Sequence, residues 1–180
     1  MTTQTALVTV EEFQRLPPPE YGVKRELVEG EIVEMSTARG GHEKVKARFN
    51  SHLVLYAAAH PGIVVLVETR FVLGERSDVI PDLTVVREAD FLATDPDDYF
   101  RRPLIAVEVV SSESASRLEA KTRAYLAHGA QAVIIAYPDE RAIHVRVGDS
   151  AHVLGANDYL ELPDVLPGFR VQVAEFFRGV

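Results

Sequence analysis

The sequence predicts a single α/β domain over residues 1–180, built as a mixed β-sheet flanked by helices. One long segment places apolar residues at helical spacing, and short apolar or alternating runs typical of strands surround it. No internal repeat, low-complexity tract or Gly/Ser-rich linker divides the chain. A mixed sheet with helices on its faces is the packing that buries the apolar sides of all these elements.

The N-terminal part predicts a helix followed by a hairpin. Thr9 and Glu12 have the capping-box spacing that begins a short helix, residues 10–16, and three prolines end it. Two alternating runs, residues 24–28 and 31–35, flank a Glu-Gly pair and indicate a β-hairpin.

A long amphipathic helix is predicted over residues 41–60, because Val45, Phe49, Leu53 and Ala57 recur every four positions. Strand-like runs lie at residues 63–73, 79–86, 104–111, 132–137 and 142–147. The second and third of these runs are apolar on both faces, which is typical of central strands covered by helices.

A further helix is predicted from Ser116 to His128, ended by Gly129. Ser116 and Glu119 have the spacing of a second capping box. The last part of the chain predicts edge strands and a short apolar end at residues 173–177.

The composition excludes several classes of protein. The chain has no cysteine, so disulfides, thiolate catalysis and Cys-based zinc sites are excluded. No run of 18 apolar residues and no signal-peptide pattern in residues 1–7 is present, so we expect a cytoplasmic protein without a membrane segment. The net charge of −8 opposes tight binding to nucleic acid over the whole surface, so DNA contacts would need a local patch.

Motifs for other chemistries are absent. The six histidines show neither His-x-His nor His-Glu-x-x-His spacing, which argues against a zinc site. No Walker-type loop and no Gly-x-Gly-x-x-Gly occurs, which argues against nucleotide-cofactor folds. Gly-x-Ser-x-Gly is also missing, so the serines at 111–116 do not indicate a serine hydrolase.

Glu108 lies in an otherwise apolar run, residues 104–110, on the same face as Ala106. Burying an isolated charge costs several kcal/mol, so a carboxylate in this position needs a cationic partner. The alternative is an ion pair with a nearby arginine, Arg101 or Arg102.

Asp82 repeats this pattern in the run of residues 79–86. Pro81 cannot donate to a sheet ladder, so this point is an edge, a strand start or a bulge, and bulges often lie beside active sites. The alternative is a turn that enters a strand. Together, Asp82 and Glu108 predict a shared divalent-cation site, because carboxylates bind Mg²⁺ or Mn²⁺ through oxygen and such ions promote phosphoryl chemistry.

Lys121 lies on a helical stripe with Leu118, Thr122 and Tyr125. Its ammonium either extends to solvent or reaches the two carboxylates, where it would orient water or stabilise charge on a phosphate. Glu26, in the hairpin, is a fourth candidate, with a solvated surface charge as the alternative. The basic residues that could form a phosphate-contacting rim, or an ordinary solvated surface, are Arg39, Lys44, Lys46, Arg48, Arg101, Arg102, Arg117 and Arg123.

These motifs resemble the PD-(D/E)XK nuclease superfamily. More closely, the chain is similar to a large bacterial family of restriction-endonuclease-like proteins long classed as a domain of unknown function. The segments that carry the resemblance are residues 25–33, 80–86, 106–111 and 166–169, with His42, Lys121, Tyr125 and Gly129.

The resemblance implies a restriction-endonuclease-like fold, a DNA substrate and a homodimer. It also implies that Asp82 and Glu108 are metal ligands for Mg²⁺ or Mn²⁺, that Lys121 is the catalytic lysine moved to a helix, and that Glu26 is a further active-site carboxylate. A literal Glu119-Ala-Lys occurs as well, but we interpret it as coincidental because Glu119 lies on a predicted helix. The family's usual Ser-Pro-Ser-Thr is replaced after residue 110, and the segment is one residue shorter, which rotates a helical position by about 100°.

Two functional hypotheses follow from the sequence. The first is a metal-dependent endonuclease that hydrolyses DNA phosphodiester bonds. The second is a catalytically inactive module with a nuclease fold that serves in binding or assembly, which the acidic charge and the altered segment after residue 110 favour.

Overall fold

The computed structural model describes residues 7–36, 40–111 and 113–180. The helices are α1 (Val10–Gln14), α2 (Gly40–Ala59), α3 (Glu88–Ala93), α4 (Ala115–Ala127) and α5 (Val173–Phe176). The strands of the first half are β1 (Val23–Val28), β2 (Glu31–Ser36), β3 (Ile63–Val67), β4 (Phe71–Val72), β5 (Asp78–Val79) and β6 (Leu83–Arg87). Those of the second half are β7 (Ile105–Val109), β8 (Ala132–Tyr137), β9 (Ala142–Val147), β10 (Ser150–Leu154), β11 (Tyr159–Leu162) and β12 (Leu166–Gln172).

The central sheet has six strands in the order β10-β9-β8-β7-β6-β3. β7 and β8 are parallel, joined by α4, and the other neighbours are antiparallel. A second sheet, β2-β1-β5-β4, carries the N-terminal hairpin, and β11 and β12 form a separate pair. The predicted mixed α/β sheet flanked by helices is therefore confirmed.

The two faces of the central sheet bury different elements. On one face, α2 and α5 pack over β6, β7 and β8, with the rings of Phe49 and Phe176 stacked at 3.9 Å. On the other face, α4 and the hairpin sheet cover the strands, and Tyr125 packs with Ala106 and Val133. All five residues of β7 are buried, as predicted for a central strand.

The N-terminal elements agree with the sequence pattern. Thr9 and Glu12 form a reciprocal capping box, and α1 ends at Gln14, two residues before the predicted end. β1 and β2 pair in register as the predicted hairpin, and their turn uses Glu29 and Gly30 at φ 48° and 87°. Left-handed backbone of this kind is what a tight hairpin turn requires.

Two predicted strands are each split by the backbone. The run at residues 63–73 forms β3 and β4, because Glu68 turns into the left-handed region at φ 44° and ends the ladder. The run at residues 79–86 forms β5 and β6, separated at Pro81, which has no N–H to donate. These breaks move β4 and β5 into the hairpin sheet, so the chain passes from one sheet to the other just before Asp82.

The start of α4 corrects the predicted capping box. Ser114, not Ser116, is the N-cap, and its side chain accepts a hydrogen bond from the backbone N–H of Arg117. Glu119 pairs with Arg146 at 3.4 Å instead of capping the helix. α3 was not predicted, because it has no side-chain cap and buries none of its residues, so no apolar stripe marks it.

Within the described ranges, no helix is both long and apolar enough to cross a membrane. The expectation that no signal peptide is present was based on residues 1–7, and residues 1–6 lie outside the described ranges. Arg39 and Ser112 also lie outside them.

Candidate active site

Asp82 directly precedes β6, and Glu108 lies on β7, the strand next to β6 in the central sheet. β6 and β7 pair Leu83 with Val107 in antiparallel register, and one further step of that register places Asp82 opposite Glu108. The backbone N–H of Val109 donates to Asp82 Oδ2 at 2.8 Å, so the carboxylate takes a donor of the strand that carries Glu108. The two carboxylates predicted to share a site are thus brought together.

Lys121 reaches this face from α4. Its Nζ lies 2.6 Å from Glu108 Oε1, 3.1 Å from Glu26 Oε2 and 3.7 Å from Glu113 Oε1. The Lys121 side chain is 2% exposed, so the alternative of a lysine extended to solvent is wrong. Glu26 is fully buried and accepts the N–H of Ile80 at 2.6 Å, so the alternative of a solvated surface charge is wrong as well.

Arg101, one of the two arginines considered as an ion-pair partner for Glu108, is paired elsewhere. Arg101 pairs with Asp98 at 3.0 Å. Tyr125 lies one turn after Lys121 on α4 and donates its hydroxyl hydrogen to Glu108 Oε1 at 2.6 Å. Glu108 is therefore held by a lysine and a tyrosine from a single helix face.

His42 is a site residue that the sequence did not reveal as one. Its Nε2 lies 3.0 Å from Asp82 Oδ2, and its Nδ1 lies 3.2 Å from Glu43 Oε1. Ionised carboxylates only accept hydrogen bonds, so the two carboxylate contacts favour the protonated ring, which donates from both nitrogens. The signal was present, because His42 occupies the buried stripe of α2 three residues before Val45.

A cavity of about 650 Å³ opens over these groups. The ionisable side chains that line it are His42, Lys24, Lys46, Lys121, Glu43, Glu68, Asp82, Glu108 and Glu113. Lys46 is 2.8 Å from both Glu43 and Glu68, and is held between them. The described lining thus contains more carboxylates than lysines, which gives the cavity a polar and acidic character.

Burial and mutual charge shift the titration of these groups. Burial raises the pKa of Glu108 to about 8, despite the opposing charge of Lys121. The pKa of Lys121 lies well above its ordinary value, because the charges of Glu108 and Glu26 outweigh its burial. Burial acts to raise the pKa of Asp82, but the hydrogen bond and charge of His42 outweigh it and lower this pKa. Burial likewise acts to lower the pKa of His42, and Asp82 outweighs it and raises the value.

These shifts predict that the metal-free protein loses stability as the pH rises from about 5 to about 9. Glu108 (folded pKa about 8, ordinary value 4.5) and His42 both have raised folded-state pKa values, so the folded state holds protons that the unfolded state releases. The lowered pKa of Asp82 affects stability in the opposite direction, but only at pH values around and below its ordinary pKa of 3.8. Thermal unfolding in a chelator at several pH values measures the slope, and Glu108→Gln should flatten it. A melting temperature that rises over this range would contradict the assignment.

The donor set suits a hard divalent cation. Among the described residues, no hydrogen-bond donor contacts Asp82 Oδ1 or Glu108 Oε2, whereas the other oxygen of each carboxylate is bonded. The described part of the chain contains no group of three or more Asp, Glu or His side chains placed to hold a metal. Mg²⁺ is commonly held by one or two carboxylates, with waters and substrate phosphates as its other ligands. Two carboxylates on one wall of an open cavity fit that ion.

The predicted phosphate-contacting rim is only partly assembled. Lys46 lines the cavity, while Arg101 pairs with Asp98 and Arg123 pairs with Glu29 at 2.7 Å, both away from the described lining. Lys44 donates to the carbonyl of Gly179 at 2.8 Å. Lys24, on β1, was not predicted as a site residue but lines the cavity and lies 3.6 Å from Glu26.

The fold and the buried carboxylate–lysine site define a nuclease-like protein. The structure is similar to a crystal structure from Anabaena variabilis ATCC 29413 described as "a putative nuclease belonging to DUF820". The TM-score is 0.82 at 19% sequence identity, over 94% of this chain and 97% of that chain. This likeness shows the fold.

The family follows from the sequence itself. The family model "Uma2: Putative restriction endonuclease" matches residues 10–174, and the chain belongs to this family. The resemblance stated from the motifs is confirmed by this match. Comparison with curated proteins finds no match. The roles of the individual site residues, the homodimer, the cytoplasmic location and the single-domain organisation stay predictions.

Proposed function

We propose that this protein is a Mg²⁺-dependent nuclease that hydrolyses DNA phosphodiester bonds, with Mn²⁺ able to replace Mg²⁺. One observation carries the proposal: a carboxylate directly before β6, Asp82, and a carboxylate on the neighbouring strand β7, Glu108, line one cavity together with the buried Lys121. The distances of 2.6 Å from Lys121 Nζ to Glu108 and 2.8 Å from Val109 N to Asp82 show how closely the groups are gathered. Membership of the family whose model is described as "Putative restriction endonuclease" supports the same reaction class.

Asp82 and Glu108 would hold the cation. A divalent cation held by these residues would supply charge neutralisation at the phosphoryl oxygens and a more acidic bound water. His42 would position Asp82, because its Nε2 lies 3.0 Å from Asp82 Oδ2. A carboxylate that is already oriented by a hydrogen bond loses less conformational entropy when it binds an ion.

Lys121 supplies a positive charge beside the two carboxylates. Its ammonium, held by Glu108 and Glu26, lies where it can stabilise negative charge that develops on the phosphate or orient the attacking water. Glu26 assists by positioning Lys121, since it accepts the N–H of Ile80 and contacts Lys121 with its other oxygen.

A catalytically inactive binding or assembly module is the second candidate. The observation that favours it is that the site is internally paired, with Lys121 on Glu108 and His42 on Asp82. Such pairing satisfies the buried charges without any ion.

Incubation with supercoiled plasmid and with circular single-stranded DNA separates the two candidates. The nuclease predicts cleavage of one or both substrates with Mg²⁺ or Mn²⁺, and none with a chelator. Glu119→Gln is the matched control, because Glu119 belongs to the literal Glu-Ala-Lys but pairs with Arg146 outside the described cavity lining. This variant should cleave like the wild type. No cleavage of either DNA with either ion would leave the binding module.

A further inference from the structure

Tyr125 contacts Glu108 from α4. Its hydroxyl donates to Glu108 Oε1 at 2.6 Å, and the two residues are 0% and 3% exposed. Glu108 belongs to the described lining of the cavity, whereas Tyr125 does not. The hydroxyl therefore acts on the cavity through the carboxylate that it contacts.

The two donors to this carboxylate differ in how firmly they are placed. Lys121 Nζ lies 2.6 Å from the same oxygen, but it also lies 3.1 Å from Glu26 and 3.7 Å from Glu113. An ammonium on a four-carbon stem is a point charge with rotatable donors, so it attracts several carboxylates without setting the direction of one. The Tyr125 ring is packed in the hydrophobic core between α4 and the central sheet, and this packing sets the position of its hydroxyl.

The hydrogen bonding of Glu108 is one-sided. Both donors meet Oε1, and no described residue donates to Oε2. In metal sites a ligand carboxylate is commonly held by a hydrogen bond of its own, which orients it before the ion arrives. The bond from Tyr125 has this form, because it comes from a residue outside the described lining and is made to a carboxylate within it.

We propose that Tyr125 is a positioning residue for the binding of a divalent cation, because its hydroxyl orients Glu108. The inference rests on the proposed function, since it takes Glu108 as a ligand of Mg²⁺ or Mn²⁺. It adds a residue that would control the affinity for the ion from outside the described cavity lining.

Tyr125→Phe tests the proposal, because it removes the hydroxyl and keeps the ring. This change should raise the dissociation constant for Mn²⁺ by about tenfold, the lower end of what loss of a hydrogen-bond partner of a metal ligand costs. Electron paramagnetic resonance of free Mn²⁺ measures this constant, at a temperature at which thermal unfolding shows each protein to be folded.

Tyr56→Phe is the matched control. Tyr56 also lies on a helix and donates its hydroxyl hydrogen, in this case to the carbonyl of Pro167 at 2.9 Å, outside the described cavity lining. The control variant should bind Mn²⁺ with the dissociation constant of the wild type.

The near-ultraviolet spectrum of the wild type gives a second measurement, which does not need the Tyr125 variant to fold. The chain has six tyrosines and no tryptophan, so this absorption comes mainly from tyrosine. Added Mg²⁺ should produce a tyrosine difference spectrum, because a cation bound by Glu108 changes the hydrogen bond that Glu108 accepts from Tyr125. The same signal should persist in Tyr56→Phe.

The possible results separate this inference from the proposed function. Equal dissociation constants for Tyr125→Phe and the wild type, or ion binding by the wild type without a tyrosine signal, would overturn the role of Tyr125 and leave the metal site intact. A dissociation constant raised equally in Tyr56→Phe would also overturn it, because the effect would not be specific to Glu108. If the wild type binds neither Mn²⁺ nor Mg²⁺, the proposed function and this inference are both wrong.

Discussion

Replacing Asp82 by Asn or Glu108 by Gln should lower Mg²⁺-dependent DNA cleavage by about 10²-fold to 10³-fold or more. Each change removes one of the two negative charges that would hold the ion but keeps the size of the side chain. The amide oxygen introduced by Asp82→Asn can still accept from Val109 and His42, and the one introduced by Glu108→Gln can still accept from Tyr125 and Lys121. The measurement is the initial rate of cleavage at saturating DNA.

The control for these variants is their thermal stability together with the rate of Glu119→Gln. Both substituted proteins should fold, and Glu119→Gln should cleave at the wild-type rate, because its side chain pairs with Arg146 away from the described lining. If both Asp82→Asn and Glu108→Gln cleave at the wild-type rate, the reaction occurs at another site.

Replacing Lys121 by Met should destabilise the protein by about 3 to 5 kcal/mol, because removal of one partner leaves buried charges without compensation. Glu26, Glu108 and Glu113 all lie within 3.7 Å of the ammonium that is lost. For a domain of this size the loss corresponds to a fall in melting temperature of about 10 °C, measured by thermal unfolding in a chelator.

A double-mutant cycle distinguishes loss of this charge pairing from loss of packing. The variant Lys121→Met with Glu108→Gln removes both the cation and one of the carboxylates that it neutralises. The double variant should therefore lose less stability than the sum of the two single variants, by about 1 kcal/mol or more. Strict additivity would mean that Lys121 and Glu108 are not energetically coupled, despite the 2.6 Å between them.

The sequence pattern was sufficient to predict most of the fold and both carboxylates. Alternation along β7 identified Glu108 as a charge among buried residues, and Pro81 identified the break before Asp82. Both features are local, because strand period and proline chemistry act over a few residues.

The residues that the sequence did not assign depend on contacts between distant segments. His42 meets Asp82 from forty positions away, and no local pattern states which strand faces the start of α2. Glu113 lies in the segment between β7 and α4, where the cap at Ser114 decides the phase of the helix and hence the direction of Lys121. A prediction based on Ser116 placed that start two residues late, although the lysine still reached the site.

Thermal unfolding with added Mg²⁺ or Mn²⁺ measures whether Asp82 and Glu108 bind a divalent cation. An ion at 100 times its dissociation constant should stabilise the wild type and Glu119→Gln by about 2.7 kcal/mol, and leave Asp82→Asn and Glu108→Gln unchanged. If neither ion shifts the wild-type melting temperature, or if Asp82→Asn shifts equally, these carboxylates bind no metal and serve only as partners for Lys121 and His42.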